Sequence, residues 1–252
     1  MRIHREGMAL GTVLLLAVPP AFADHYTLTL FHTNDLHGRS DLYPQLITTL
    51  AEAREQFGDG LLLDAGDVFS GTLYFNEFQG SDAIEFMNLM GYDAFVPGNH
   101  EFDLGDPETG HQALAEFFAA ADFPILGANL DFSTSPEFAT LLGESISAEP
   151  KPGHLYDGIV VEHGGERIGI FGLSTQASET ISSPGNVTIG DYREAAEAMV
   201  AEFEAQGINK IVALTHLGFE SDPSVGNDML LAQHVDGIDV IIGGHSHTRL
   251  ES

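Results

Sequence analysis

The chain has 252 residues, 43% of them hydrophobic, with a mean hydropathy of +0.02, enough apolar material for a sizeable core. Nine Lys and Arg stand against 38 Asp and Glu, a formal net charge of −29, and a surface that negative excludes a basic nucleic-acid groove. There is no cysteine, which excludes disulfides, thiolate metal sites and a thiol nucleophile.

The first predicted element is a targeting segment. Arg2 and Arg5 precede an apolar run over 8–18, and Ala21-Phe22-Ala23 is a small-x-small cleavage site. The run is too short to span a bilayer comfortably. Residues 1–23 therefore read as a cleaved signal peptide, and 24–252 as one exported domain, periplasmic or secreted, with no stable membrane anchor. A strand pattern opens that domain at 27–31, and a helix follows over 42–57. A short apolar run at 61–63 reads as a buried strand, and a helix is expected over 81–90. A strand over 94–96, a helix over 107–121 and a strand over 124–130 come next, then a stretch without clear period to 152. Gly164-Gly165-Glu166 separates strand patterns at 158–162 and 167–173, a hairpin signal. A long helix over 191–206 stops at Gly207, and a strand over 210–214, a helix over 227–234 and a strand over 239–242 complete the chain. Strands alternating with helices indicate an α/β fold, to which the hairpin adds an antiparallel element.

The histidines and several carboxylates fall where an apolar strand stops and a glycine-rich loop begins. These loops are Asn34-Asp35-Leu36-His37-Gly38, Gly66-Asp67, Gly98-Asn99-His100-Glu101-Phe102-Asp103, Thr215-His216-Leu217-Gly218 and Gly243-Gly244-His245-Ser246-His247. Carboxyl ends of strands are where open α/β folds bind ligands, so loops from several strands can converge on one site. On an extended backbone the two-residue side-chain period points Asp35 and His37 to one face, and likewise His245 and His247. Imidazole nitrogens and carboxylate oxygens without sulfur suit zinc, manganese, iron or cobalt. Six or seven such ligands exceed what one ion with an open position needs, and they suit two ions sharing one carboxylate. Taken singly, each piece has a plain alternative: a surface turn for Asp35-x-His37, a turn or helix cap for Gly66-Asp67, a satisfied core histidine for His216. It is their joint occurrence at five strand ends that argues for a site. His25, His111, His154, His163 and His234 sit in polar or helical surroundings and read as solvated, and His32 is left outside the site.

The strings Phe-His-Thr-Asn-Asp-Leu-His-Gly (31–38), Gly-Asn-His-Glu-Phe-Asp (98–103) and Gly-Gly-His-Ser-His-Thr (243–248), with Gly66-Asp67-(x3)-Gly71 and His216, resemble the calcineurin-like metallophosphoesterase signature. Their branch resembles the 5′-nucleotidases, which include periplasmic UDP-sugar hydrolases and 2′,3′-cyclic-nucleotide phosphodiesterases. The resemblance implies a four-layer β-sandwich flanked by helices and hydrolysis of phosphate esters, most of all nucleotides, by a hydroxide between two divalent ions. It implies that Asp35, His37, Asp67 and His247 hold one ion, and Asp67, Asn99, His216 and His245 the other. It further implies that His100 stabilises charge on the phosphoryl oxygens and that Asp103 orients its imidazole. Neither a Gly-x-Ser-x-Gly nor a Walker phosphate loop occurs, consistent with water as the nucleophile. Ser252 follows His247 by five residues, so the last strands of this domain and the family's C-terminal substrate domain are expected to be missing. Arg39 and Arg249 are the arginines beside motifs and the candidates for a substrate contact. Two other readings remain open at this point: a thiosulfohydrolase-like ester hydrolase on the same scaffold, and an inactive metal-binding fragment.

Overall fold

Two sheets are built from successive parts of the chain, and their packing creates four layers. The structure is a computed structural model that describes residues 26–250 except 107; the expected signal segment lies outside the described residues. In chain order the elements are β1 (Leu30–Thr33), α1 (Tyr43–Phe57), β2 (Leu61–Asp64), α2 (Leu73–Phe78), α3 (Ser81–Met90), β3 (Ala94–Phe95), α4 (Gln112–Ala120), β4 (Ile125–Leu126) and β5 (Leu130–Asp131). There follow β6 (Ile146–Ser147), β7 (Leu155–Tyr156), β8 (Gly158–His163), β9 (Glu166–Ser174), α5 (Ser178–Ile181), β10 (Thr188–Ile189), α6 (Tyr192–Ala205), β11 (Ile211–His216), α7 (Asp228–His234) and β12 (Val240–Gly243). The first sheet is wholly parallel, in the order β1-β2-β3-β4-β7. The second runs β12-β11-β9-β8-β6, with β9, β11 and β12 parallel and the β8–β9 hairpin antiparallel.

The period-two pattern decides the layering. Leu61 and Leu63 of β2 meet Ile168 and Ile170 of β9 and Val212 and Leu214 of β11 between the sheets. Leu62 turns the other way, into a phenylalanine-rich core under α1, α3 and α4. Phe171 and Leu173 of β9 and Ile211 and Ala213 of β11 face α6 and α7. Helices thus cover both outer faces, the expected helix-flanked sandwich. Each fully buried Phe or Leu in these layers contributes roughly 1.5–3 kcal/mol of transfer free energy.

Several boundaries moved for local reasons. The first strand lies at Leu30–Thr33, three residues later than expected, where it pairs in register with Leu61–Asp64. The fourth helix begins at Gln112 because Asp106 and Gly110 exchange backbone hydrogen bonds and close a turn ahead of it. The strand expected over 124–130 divides into β4 and β5. Asn129 between them donates to the Ser174 carbonyl and accepts from the Ser174 N–H, and β5 departs to pair with β10. Helix α2, capped by the Thr72 hydroxyl accepting from Phe75 N–H, and strand β6 were not expected. The long helix expected from Asp191 begins at Tyr192, with Asp191 as its N-cap, accepting from the N–H groups of Arg193 and Glu194. Strands β1, β2, β3, β11 and β12 all deliver their C-terminal ends to one side of the sandwich.

Candidate metal centre

The loops after those five strands meet. The expectation that Asp35-x-His37 and His245-x-His247 share a face through extended backbone is wrong. Asp35, His37, His245 and His247 have φ of 55°, 49°, 72° and 51°, in the left-handed region, and so does Asp67 at 59°. Strands β1 and β12 end at Thr33 and Gly243, so the motifs lie beyond them in tight turns. Only Ser70 and Gln79 join these five as non-glycine residues with positive φ among the described residues, so the strain is concentrated here.

Backbone hydrogen bonds hold the turns in that conformation. The N–H groups of Asp35, His37 and Gly38 donate to the carbonyls of Gly66, Asp67 and Val68 at 2.9, 2.9 and 2.8 Å. The fully buried Glu101 carboxylate accepts from the N–H groups of Asp67, Val68, Phe69 and Gly98 at 2.9, 2.8, 3.0 and 2.6 Å. Gly98 has to be glycine, because a Cβ there would collide with the Asp67 carboxylate and the His216 ring.

The side chains form three overlapping groups: Asp35, His37 and His247; Asp67, His216 and His245; and His37, Asp67 and His100. His37 Nε2 lies 3.0 Å from His247 Nε2, which is 3.4 Å from Asp35 Oδ1. His216 Nε2 lies 3.0 Å from Asp67 Oδ2, and the same oxygen is 4.0 Å from His37 Nε2. Asp67 therefore reaches both sides of the cluster. Two buried atoms test whether a cation fits. Asn99 Oδ1 has no hydrogen-bond partner, and His216 Nε2 has only the Asp67 carboxylate, 3.0 Å away, although each is a good metal donor. His216 Nδ1 is occupied with the Ala65 carbonyl at 2.6 Å, which leaves Nε2 to face the cluster. The donor set fits divalent metal ions.

The electrostatics agree. Burial opposes a charge on His216, but the Asp67 and Asp35 carboxylates outweigh it and raise its pKa. Burial also opposes ionisation of Asp67, yet His216, the His100 N–H and His100 itself hold its carboxyl low. The centre favours positive charge beside Asp67, and an ion can take the proton's place. His37 and His245 are pushed down by burial and by neighbouring histidines, toward the neutral form that ligates metals.

His100 is built differently. Its Nδ1 lies 2.6 Å from Asp103 Oδ2, its N–H donates to Asp67 Oδ1, and its ring meets His37 edge-on at 4.9 Å. Burial opposes a charge here too, but the bond to Asp103 and the Asp67 charge raise the pKa. Asp103 in turn accepts from Ser70 Oγ at 2.5 Å and from Ser182 Oγ at 2.9 Å.

Eight of the nine expected site residues are brought together, and the ninth, Asn99, is buried next to His100 in the chain. Glu101, Ser70 and Ser182 were missed; apart from Gly98, three residues before Glu101, their partners lie 32 to 79 residues away, beyond any local pattern. His111 is not solvated as expected: it is 2% exposed, with Nε2 on the Pro184 carbonyl. Arg39 turns to Asp41, with its Nε 2.9 Å from that carboxylate. Arg249 lines a cleft of about 700 Å³ together with His32, Asn34, Asp35 and His247.

Residues 28–249 match the family model described as calcineurin-like phosphoesterase, so the chain belongs to that family. Within it, the chain is 39% identical over 241 residues to the trifunctional nucleotide phosphoesterase protein YfkN of Bacillus subtilis, covering 90% of this chain and 16% of that protein. It is 35% identical over 262 residues to the 5′-nucleotidase of Diplobatis ommata, covering 96% of this chain and 42% of that one. The crystal structure of a 5′-nucleotidase precursor from Thermus thermophilus superposes with a TM-score of 0.73 at 38% identity, over 90% of this chain and 43% of that one. The chain thus spans less than half the length of these relatives.

Proposed function

We propose that the chain hydrolyses phosphate monoesters and diesters of nucleotides at a centre of two divalent ions. The observation that carries this reading is the convergence of Asp35, His37, Asp67, His216, His245 and His247, with Oδ1 of Asn99, next to His100 in the chain, buried and unpaired. Asp35, His37 and His247 would hold one ion, Asn99, His216 and His245 the second, with Asp67 between them. The sulfur-free donor set suits zinc, manganese, iron or cobalt. Two such ions supply an acidified, oriented water and neutralise phosphoryl oxygens.

The chain's own residues do the rest. His100, whose protonated form the bond to Asp103 favours, lies beside the ion sites, where it would face the phosphoryl group and could donate a proton from Nε2. Ser70 and Ser182 fix the Asp103 carboxylate, so the imidazole keeps its tautomer and direction. Nucleotides as the substrate class rest on the names of the relatives. Export, to a periplasm or the medium, rests on the charged, apolar and small-residue pattern of residues 1–23. Among the described residues no helix is long and apolar enough to cross a membrane.

The test loads the protein with Zn²⁺, Mn²⁺ or Co²⁺ and follows phosphate release from an aryl phosphate and AMP, and ring opening of a 2′,3′-cyclic nucleotide. Hydrolysis that needs both the metal and His100 is expected. Loaded protein inert on all three substrates would overturn the reading.

A further inference from the structure

We propose that Glu101 is a positioning residue whose carboxylate clasps the loops carrying Asp67 and Asn99 and fixes both side chains for metal binding. The proposal rests on the reading of Asp67 and Asn99 as ligands.

Glu101 is fully buried. No Lys or Arg pairs with it among the described residues. A carboxylate removed from water needs compensation, and here all its hydrogen bonds come from main-chain donors. Oε2 accepts from the N–H groups of Asp67 and Gly98, and Oε1 from those of Val68 and Phe69. Two bonds to each oxygen use the acceptor capacity of a group that donates nothing in return. An amide at this position would turn its NH₂ toward two N–H groups.

The placement of those four donors gives the clasp its consequence. Three follow one another in the turn after β2, where Gly66 and Asp67 have φ of 89° and 59°. The fourth, Gly98, lies in the loop after β3, one residue before Asn99. The carbonyls on the other edge of the first turn, those of Gly66, Asp67 and Val68, accept from Asp35, His37 and Gly38. The turn is therefore gripped on both edges, its N–H groups by Glu101 and its carbonyls by the 35–38 loop. Loosening the Glu101 side releases Asp67 from its left-handed conformation, and the Asp35 and His37 turn then loses its template. A residue that touches no ion thereby acts on candidate ligands from three strands. Supports of this indirect kind change metal affinity by about 10- to 100-fold.

The test compares the full chain with Glu101→Gln and Asp67→Ala. Each is titrated with Mn²⁺, and the bound ions are followed by electron paramagnetic resonance, which reads exchange coupling between two ions sharing a bridge. The parent is expected to bind two coupled ions. Glu101→Gln is expected to keep its circular dichroism spectrum, bind Mn²⁺ about 10- to 100-fold more weakly, and lose the coupled signal. A Glu101→Gln protein that binds two coupled ions with parental affinity, while Asp67→Ala does not, overturns the clasp. Two coupled ions in Asp67→Ala would instead overturn the bridging assignment beneath it. Should Glu101→Gln fail to fold, amide hydrogen exchange of the metal-free parent decides: the N–H groups of residues 67, 68, 69 and 98 are expected to be protected as a set. Exchange of those four at exposed-loop rates overturns the proposal.

Discussion

The two sheets hold their shares of the metal centre in different ways. The loops after β1, β2 and β3 are laced together by main-chain hydrogen bonds and by Glu101, and Asp67 and Asn99 among them are 2% and 3% exposed. On the other side, His216 is equally buried, but the 245–247 segment hangs beyond edge strand β12. His247 has 60% of its side chain exposed, and the segment is tied back by the His245 N–H donating to the Asp35 carboxylate at 3.0 Å. One half of the candidate centre is therefore buried and multiply bonded, while the other half ends in an exposed segment held by few bonds. Buried, multiply bonded groups open only with much of the fold, whereas exposed loop ends open cheaply.

The largest expected effect is at the centre of the rigid half. Asp67→Ala should lose both ions and reduce phosphate release to background, because its carboxylate faces both ligand groups. Elemental analysis finding one ion still bound at full occupancy would move the bridge elsewhere. His100→Ala should separate chemistry from binding: both ions stay, and the rate falls by about 10²–10⁴-fold, the scale of a positioned acid or charge stabiliser. Equal losses of metal and rate would place His100 among the ligands.

The rigid half also predicts a pH dependence. Asp64, at the end of β2, is buried, and burial pushes its carboxyl up to about 7 despite hydrogen bonds from Thr33 and Gly66. Between about pH 4 and 7 the folded chain then holds a proton that the unfolded chain, with a carboxyl near its ordinary value of about 3.9, has released. Stability from this group falls as pH rises through that window and is level above it. Asp64→Asn should remove that part of the slope, amounting to roughly 2–4 kcal/mol between pH 4.5 and 8 at about 1.36 kcal/mol per pKa unit. Urea unfolding of the metal-free proteins measures it; parallel curves for the two would show that Asp64 ionises normally. The smallest effect belongs to the open half. His247→Ala should weaken one ion by about tenfold and leave the other bound, at the lower end of the range for a metal-site substitution. A loss as complete as that in Asp67→Ala would erase the difference between the halves.

Much of this arrangement was legible because it is local. The buried strand at 61–63, the hairpin turn at Gly164-Gly165, and the long helix stopping at Gly207 each follow from residues within a few positions of one another. The candidate ligands were found for the same reason: each stands at the end of an apolar run, where the chain leaves its strand. What lay beyond that reach was the backbone shape of the turns and the partners that impose it. Asp35 and His37 were expected on extended chain, since period two is the default reading of x-separated residues, but hydrogen bonds to a turn about 30 residues on hold both left-handed.

The sequence by itself determined the main strands and helices, the acidic, thiol-free composition and the positions of nine candidate site residues, because periodicity, punctuation and side-chain chemistry are properties of short stretches. Only the tertiary structure decided that His37 and His247, 210 residues apart, stand 3.0 Å from one another, that His111 is buried, and that Glu101 gathers four N–H groups from two loops. Those outcomes depend on which strand ends are brought side by side, and hydrogen bonds between distant loops leave no periodic trace in the chain that makes them.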